Sequence, residues 1–114
     1  YNIVNTHLSS DITLYKQVFE VKELNKWICD NGLDEEGVVV VGDFNYIDFH
    51  LNDIYYYNPS RHLMLEQRKT GNTYPSWLPI MPLDKIFFKN IEIQKTEIIK
   101  QKNSDHYPVY IEIK

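Results

Sequence analysis

The chain has 114 residues and a formal net charge of −4, from 12 basic and 16 acidic side chains, which is one domain's worth of sequence. No apolar run approaches the ~20 residues that span a bilayer, no basic-then-apolar leader is visible, and the single cysteine, Cys29, excludes an internal disulfide framework. The acidic balance argues against a general polyanion-binding surface but leaves room for local cations or a metal acting on a phosphate, and one cysteine without a leader fits a cytoplasmic protein.

Tyr1 to Leu8 alternates and is rich in strand formers, so it reads as a strand with Ile3, Asn5 and His7 on one face and Val4, Thr6 and Leu8 on the other. Ser9-Ser10-Asp11 offers helix caps. From Ile12 to Asp30 the apolar spacing is helical: Leu14, Val18, Val21, Leu24 and Ile28 form one stripe, Tyr15 and Trp27 widen it, and Cys29 is placed with the core. Asn31-Gly32 ends that helix. Lys16, Glu20, Lys22, Glu23 and Lys26 read as its solvated face.

Val38 to Val41 is an unbroken β-branched run, the pattern of a strand covered on both faces. Gly42-Asp43-Phe44-Asn45 follows; continued strand geometry puts Asp43 and Asn45 on one face and Phe44 on the other. Asp48 to Asn58 reads as a short helix, with Tyr55-Tyr56-Tyr57 an ordinary aromatic cluster and His50 and His62 solvated. Arg61 to Thr73 is polar and ambiguous. Tyr74-Pro75-Ser76-Trp77-Leu78-Pro79 is a constrained loop, because each proline fixes its own φ and restricts the residue before it. Leu83 to Phe88, Ile91 to Lys100 and Tyr107 to Ile113 read as strands, with a turn at Lys89-Asn90 and a polar loop at Ser104-Asp105-His106. The order β-α-β-(α)-loop-β-β-β is a mixed α/β arrangement.

Acidic, amide and imidazole groups fall at strand ends in separate places: His7, Asp43 with Asn45, Asp84, and Asp105 with His106. Catalytic groups gather on the loops at one edge of a rigid sheet. A carboxylate can hold a cation or orient a water, an amide can donate to a developing oxyanion, and an imidazole held by a carboxylate can act as acid, base or charge stabiliser. These are the ingredients of metal-assisted hydrolysis.

Asn5-Thr6-His7-Leu8, Gly42-Asp43-Phe44-Asn45, Leu83-Asp84-Lys85-Ile86-Phe87 and Ser104-Asp105-His106-Tyr107-Pro108-Val109 occur in that order. Together they resemble the C-terminal half of the endonuclease/exonuclease/phosphatase family, the fold of deoxyribonuclease I. Thr73-Tyr74-Pro75-Ser76-Trp77, then Pro79, Pro82 and Leu83-Asp84-Lys85-Ile86, look most like small bacterial members. Pro82-Leu83-Asp84-Lys85 departs from the Trp-Cys-Asp-Arg signature of the phosphoinositide 5-phosphatases, while Ser-Asp-His-Tyr-Pro-Val also occurs in bacterial sphingomyelinases.

The resemblance implies an α/β (α+β) fold, the C-terminal half of a four-layer αββα sandwich, with residues 1–114 forming that part of a single domain. It implies a divalent-metal-dependent phosphoesterase in which water attacks phosphorus. His7 would contact the scissile phosphate, Asp43 orient or deprotonate the water, and Asn45 bind a non-bridging oxygen. Asp84 would orient His106, His106 would stabilise the transition state, and Asp105 would help hold Mg²⁺ or Mn²⁺. Trp77 is a candidate for lining the cleft. The family's principal metal-binding Glu lies in its N-terminal half, and no Glu precedes His7.

With Tyr1 already inside strand-like sequence, the chain reads as a piece inactive by itself, supplying one sheet and its covering helix. Its partners would be a phosphate-ester substrate (phosphodiester, nucleic acid or phospholipid head group) and a missing N-terminal half or second chain that completes the sandwich. Two other readings stand beside this one. A nuclease would need a basic groove along the phosphate backbone; a non-catalytic remnant or binding module would have kept the fold without its chemistry.

Overall fold

Alternation at the start of the chain resolves into strand β1 (Asn2–His7), with Val4 and Thr6 turned inward and Ile3, Asn5 and His7 exposed. The computed structural model describes residues 1–10, 15–46 and 65–114. After β1 come helix α1 (Tyr15–Asp30), a single helical turn α2 (Leu33–Glu36) that the sequence pattern did not signal, and strand β2 (Val38–Asp43). Strands β3 (Glu66–Arg68), β4 (Asp84–Lys89), β5 (Ile93–Ile98) and β6 (Val109–Ile113) complete the described elements. The caps at Asp11, Leu14 of the stripe, and the expected helix over Asp48–Asn58 with His50, His62 and the tyrosine cluster lie outside the described residues.

Strands β1, β2, β4 and β3 form one sheet in that order; β1 runs parallel to β2, and β4 runs antiparallel to both β2 and β3. The parallel pair is joined through α1, which covers one face. There Val21 and Ile28 pack with Leu8, Val38, Val40, Phe44, Tyr46, Leu65 and Phe87. Full burial of each such apolar side chain is worth about 1.5–3 kcal/mol, and Phe44 meets Phe87 edge-on at 5.2 Å. The run of valines is buried on both sides as its composition predicts: Val38 and Val40 face α1, and Val39 faces Ile86 and Ile93 of a second core.

Three expectations are corrected. The chain supplies more than one sheet and a helix, because β5 and β6 form a separate two-stranded antiparallel sheet on the face opposite α1. The buried stripe of α1 is narrower in apolar residues than its periodicity predicts: Tyr15, Trp27 and Cys29 are exposed, while Gln17 and Asn25 are buried. Gln17 earns its position by donating from Nε2 to the Asn45 carbonyl at 3.3 Å. The polar stretch 61–73 contains β3, whose backbone is paired residue for residue with β4 at Glu66–Phe88, Gln67–Phe87 and Arg68–Ile86.

Gly42 has φ 143°, and a Cβ there would lie 1.8 Å from the Thr6 carbonyl oxygen. Only glycine lets β1 and β2 close at this point, immediately before Asp43. Among the described residues no helix is long and apolar enough to cross a membrane.

Candidate active site

The face of the larger sheet opposite α1 carries the chemistry. His7 ends β1, Asp43 ends β2 and Asp84 begins β4, and the register sets His7 beside Asp43 and Asp43 beside Asp84. Period-two alternation explains the shared direction: Asp43 follows Val39 and Val41, and Asp84 precedes Ile86 and Phe88, all on the face toward the second core. His106 reaches the same point from the loop that enters β6.

His7 Nε2 lies 3.4 Å from Asp43 Oδ2, and His106 Nε2 lies 3.3 Å from that same oxygen. His106 Nδ1 donates to Asp84 Oδ2 at 2.7 Å. The hydroxyl of buried Thr73 donates to the same Asp84 oxygen, and the Thr70 hydroxyl caps the Asp84 carbonyl at 2.8 Å. The ring of Tyr74 packs on the imidazole of His106, with centroids 4.8 Å apart.

Asn45 is turned by its left-handed backbone, φ 51°, a conformation asparagine tolerates better than most residues. The strand geometry expected to continue through Asn45 therefore stops at Asp43. The Asn45 amide N–H donates to Asp43 Oδ1 at 2.9 Å, and its side-chain Nδ2 donates to the Leu8 carbonyl at 2.6 Å. That leaves one of the two side-chain N–H bonds for another acceptor.

Burial is the largest influence on Asp43 and raises its carboxyl above the ordinary value; the Asp84 charge adds to this, while the Asn45 amide and the two imidazoles oppose it. For His106 burial is again the largest single influence and lowers the imidazole. The hydrogen bond and charge of Asp84, with the charges of Asp43 and Asp105, outweigh it and leave the group raised. The site therefore favours a protonated imidazole held between two carboxylates.

Asp43, Asp84 and His106 each offer a ligand atom within 4.8 Å of the others. Asp84 Oδ2 is taken by His106 and Thr73, and Asp43 Oδ1 by Asn45. Asp43 Oδ2 faces the two imidazoles. Such a donor set fits a hard cation that keeps several waters and takes one or two carboxylates, as Mg²⁺ does, better than one needing a full protein cage.

Of the residues singled out in the sequence, His7, Asp43, Asn45, Asp84 and His106 come together. Asp105 stands outside the cluster with its side chain exposed, its Oδ1 accepting from the Ser104 hydroxyl at 3.3 Å. Trp77 is 71 % exposed at the tip of the proline-bounded loop. Sequence reasoning did not single out Thr73, Tyr74 and Gln17 as supports of the site. Their only signal was place: a hydroxyl and a ring beside the first proline of that loop, and a polar residue on the stripe of α1.

No family model and no curated protein matches the sequence. Solved structures do resemble the fold. A functionally unknown conserved protein from Enterococcus faecalis V583 is 17 % identical with TM-score 0.75, the match covering 98 % of this chain and 49 % of that one. A mannosyl-6-phosphatase from Bacteroides thetaiotaomicron VPI-5482 is 15 % identical with TM-score 0.73, covering 97 % and 50 %. An endonuclease/exonuclease/phosphatase family protein from Bacteroides thetaiotaomicron is also 15 % identical with TM-score 0.73, covering 97 % and 48 %. The chain thus has the mixed α/β fold of endonuclease/exonuclease/phosphatase proteins and spans about half the length of the structures it matches.

Proposed function

We propose that this chain carries the catalytic strand ends of a divalent-metal-dependent phosphoesterase, in which water attacks the phosphorus of a phosphate ester. The observation that carries the reading is one carboxylate oxygen, Asp43 Oδ2, within 3.4 Å of two imidazoles, one of them held by a second carboxylate at 2.7 Å. Asp43, whose carboxyl burial raises above its ordinary value, orients the attacking water and accepts its proton. His106, kept protonated by Asp84, donates from Nε2 to a non-bridging phosphate oxygen. His7 and the remaining amide N–H of Asn45 donate to the same group, so charge developing on the phosphate meets donors already in place. A bound Mg²⁺ or Mn²⁺ would supply charge neutralisation, and Asp105, exposed beside the cluster, would help hold it.

Trp77, exposed on the proline-bounded loop, is in this reading a substrate-contacting residue at the cleft. Residues 1–114 form the C-terminal part of one domain, and a further segment or a second chain completes the sandwich. The twofold length of the similar structures supports that completion.

The test is hydrolysis by the intact protein, with and without chelator, of a nitrophenyl phosphodiester, a sugar phosphate, DNA and a phospholipid. Metal-dependent turnover of at least one is expected. Asp43→Ala and His106→Ala are expected to lower kcat/KM by about 10²–10⁴-fold with unchanged circular dichroism. Near-normal turnover in either variant overturns the assignment.

A further inference from the structure

We infer that Ser76 is a positioning residue, whose buried hydroxyl and backbone amide together fix the Ser104–Tyr107 turn so that the imidazole of His106 lands on Asp84. The inference rests on reading His106 as part of the site. The loop that carries His106 is exposed and outside any strand over residues 101–105, and its own bonds beside the imidazole are long: His106 N–H to Ser104 Oγ and the Ser104 hydroxyl to Asp105 Oδ1, both at 3.3 Å. Its shorter restraints come from the segment that precedes β4, with Ile99 N–H to the Pro108 carbonyl at 2.9 Å beyond it. Ser76 N–H donates to the Asp105 carbonyl at 2.7 Å, and Ser76 Oγ donates to the Ser104 carbonyl at 2.6 Å. On the other side of His106, Tyr107 N–H donates to the Thr73 carbonyl at 2.8 Å. The peptide carrying the imidazole is thus pinned at the residues before and after it.

The chemistry explains why a serine stands here. Two successive carbonyls point at one residue, and a residue has one backbone N–H. The second carbonyl needs a side-chain donor short enough to stay within its own backbone's reach, in a site only 4 % exposed. A hydroxyl meets that need, and a buried serine hydroxyl left without its acceptor would itself be costly.

The strap that carries Ser76 is itself anchored. Thr73 N–H and Tyr74 N–H donate to the Met81 carbonyl, Met81 N–H returns to the Tyr74 carbonyl at 2.9 Å, and Leu78 N–H closes on the Pro75 carbonyl at 3.0 Å. Three residues beyond Met81 lies Asp84, which also receives the Thr73 hydroxyl. One strap therefore holds both the imidazole's loop and the carboxylate it meets. A displacement of about 1 Å between them breaks a hydrogen bond of this length and costs rate out of proportion to the movement.

The test compares Ser76→Ala and Ser76→Cys in the intact protein. A thiol nearly matches the hydroxyl in shape but is a poor donor, so it separates hydrogen bonding from packing. The first readout is the proton resonance of His106 Nδ1–H, assigned by its absence from His106→Gln; it requires no turnover. Both Ser76 variants are expected to lose that resonance at a temperature where circular dichroism shows them folded. On a hydrolysed ester, both are expected to lower kcat about tenfold with KM nearly unchanged. Retention of the resonance in Ser76→Ala overturns the inference, as does Ser76→Cys behaving like the wild type. A wild type that hydrolyses none of the esters defeats the functional reading, and the resonance still decides the role of Ser76.

Discussion

Asp43 sits where its charge is least welcome. It ends a strand of buried valines, it faces Asp84 across the register, and burial raises its carboxyl more than any other influence does. A carboxyl whose folded-state pKa lies above its unfolded value stabilises the fold most fully below the unfolded value, and that contribution is lost as pH rises through the folded value. His106 is raised as well, so its stabilisation is present below the ordinary imidazole range and lost as pH rises through its own raised value. Once pH has risen past the raised His106 value the imidazole is neutral, and the Asp43 anion keeps its burial without a cationic partner. Asp43→Asn is therefore expected to raise the Tm of the metal-free protein there by a few degrees. That gain shrinks as pH falls through the raised Asp43 value, where the wild-type carboxyl takes up its proton. The same variant removes the proposed base and abolishes hydrolysis. Calorimetry across this range checks the sign: a fall in Tm at the alkaline end means that the Asn45 amide outweighs the burial.

Among the elements, the junction of β1 and β2 is the tightest. A Cβ at Gly42 would lie 1.8 Å from the backbone oxygen of Thr6, and the φ of 143° already disfavours any side chain. Gly42→Ala is expected to cost about 3 kcal/mol or more, read as a lower urea midpoint, and to reduce turnover by shifting Asp43 relative to His7. An unchanged midpoint would show that the strands can separate there without loss. The valine run before this glycine and the alternation of β1 were legible because each expresses a local rule, whereas the need for glycine itself comes from Thr6 on the neighbouring strand. The supports of the site were not. β3 is polar and owes its conformation to pairing with β4, and the buried face of α1 includes Gln17 because of a carbonyl on a distant turn. Hydrophobic periodicity records which positions avoid water; it carries no term for a polar side chain buried against a specific partner. His106 was visible through its motif, whereas the strap that aims it was visible as a proline-rich stretch resembling small bacterial members of the family, with no sign of what its hydroxyls hold.

Across the whole molecule, the two sheets stand with a gap between them. Ile3 and Asn5 of β1, Val41 of β2, Ile86 of β4, and Val109 and Ile111 of β6 line a groove of about 530 Å³ that leads to Asp84 and His106. Among the described residues the strands that flank it are edges, since β1 pairs there with β2 alone and β6 with β5 alone. Apolar edge strands with unpaired backbone groups invite another strand. The similar structures have twice the length in which to provide one. The 114-residue polypeptide by itself is therefore expected to bind anilinonaphthalene sulfonate and to self-associate with rising concentration, measured by sedimentation velocity. Ile3→Lys tests the cause, because Ile3 is 61 % exposed and its replacement removes little packing while placing a charge on the edge. The variant is expected to shift the polypeptide toward monomer with its Tm nearly unchanged. A wild-type polypeptide that stays monomeric and binds no dye would mean that the groove closes on itself. The two-stranded sheet would then have to move toward β1, carrying the His106 loop with it, so closure and loss of the His106–Asp84 contact would be observed together.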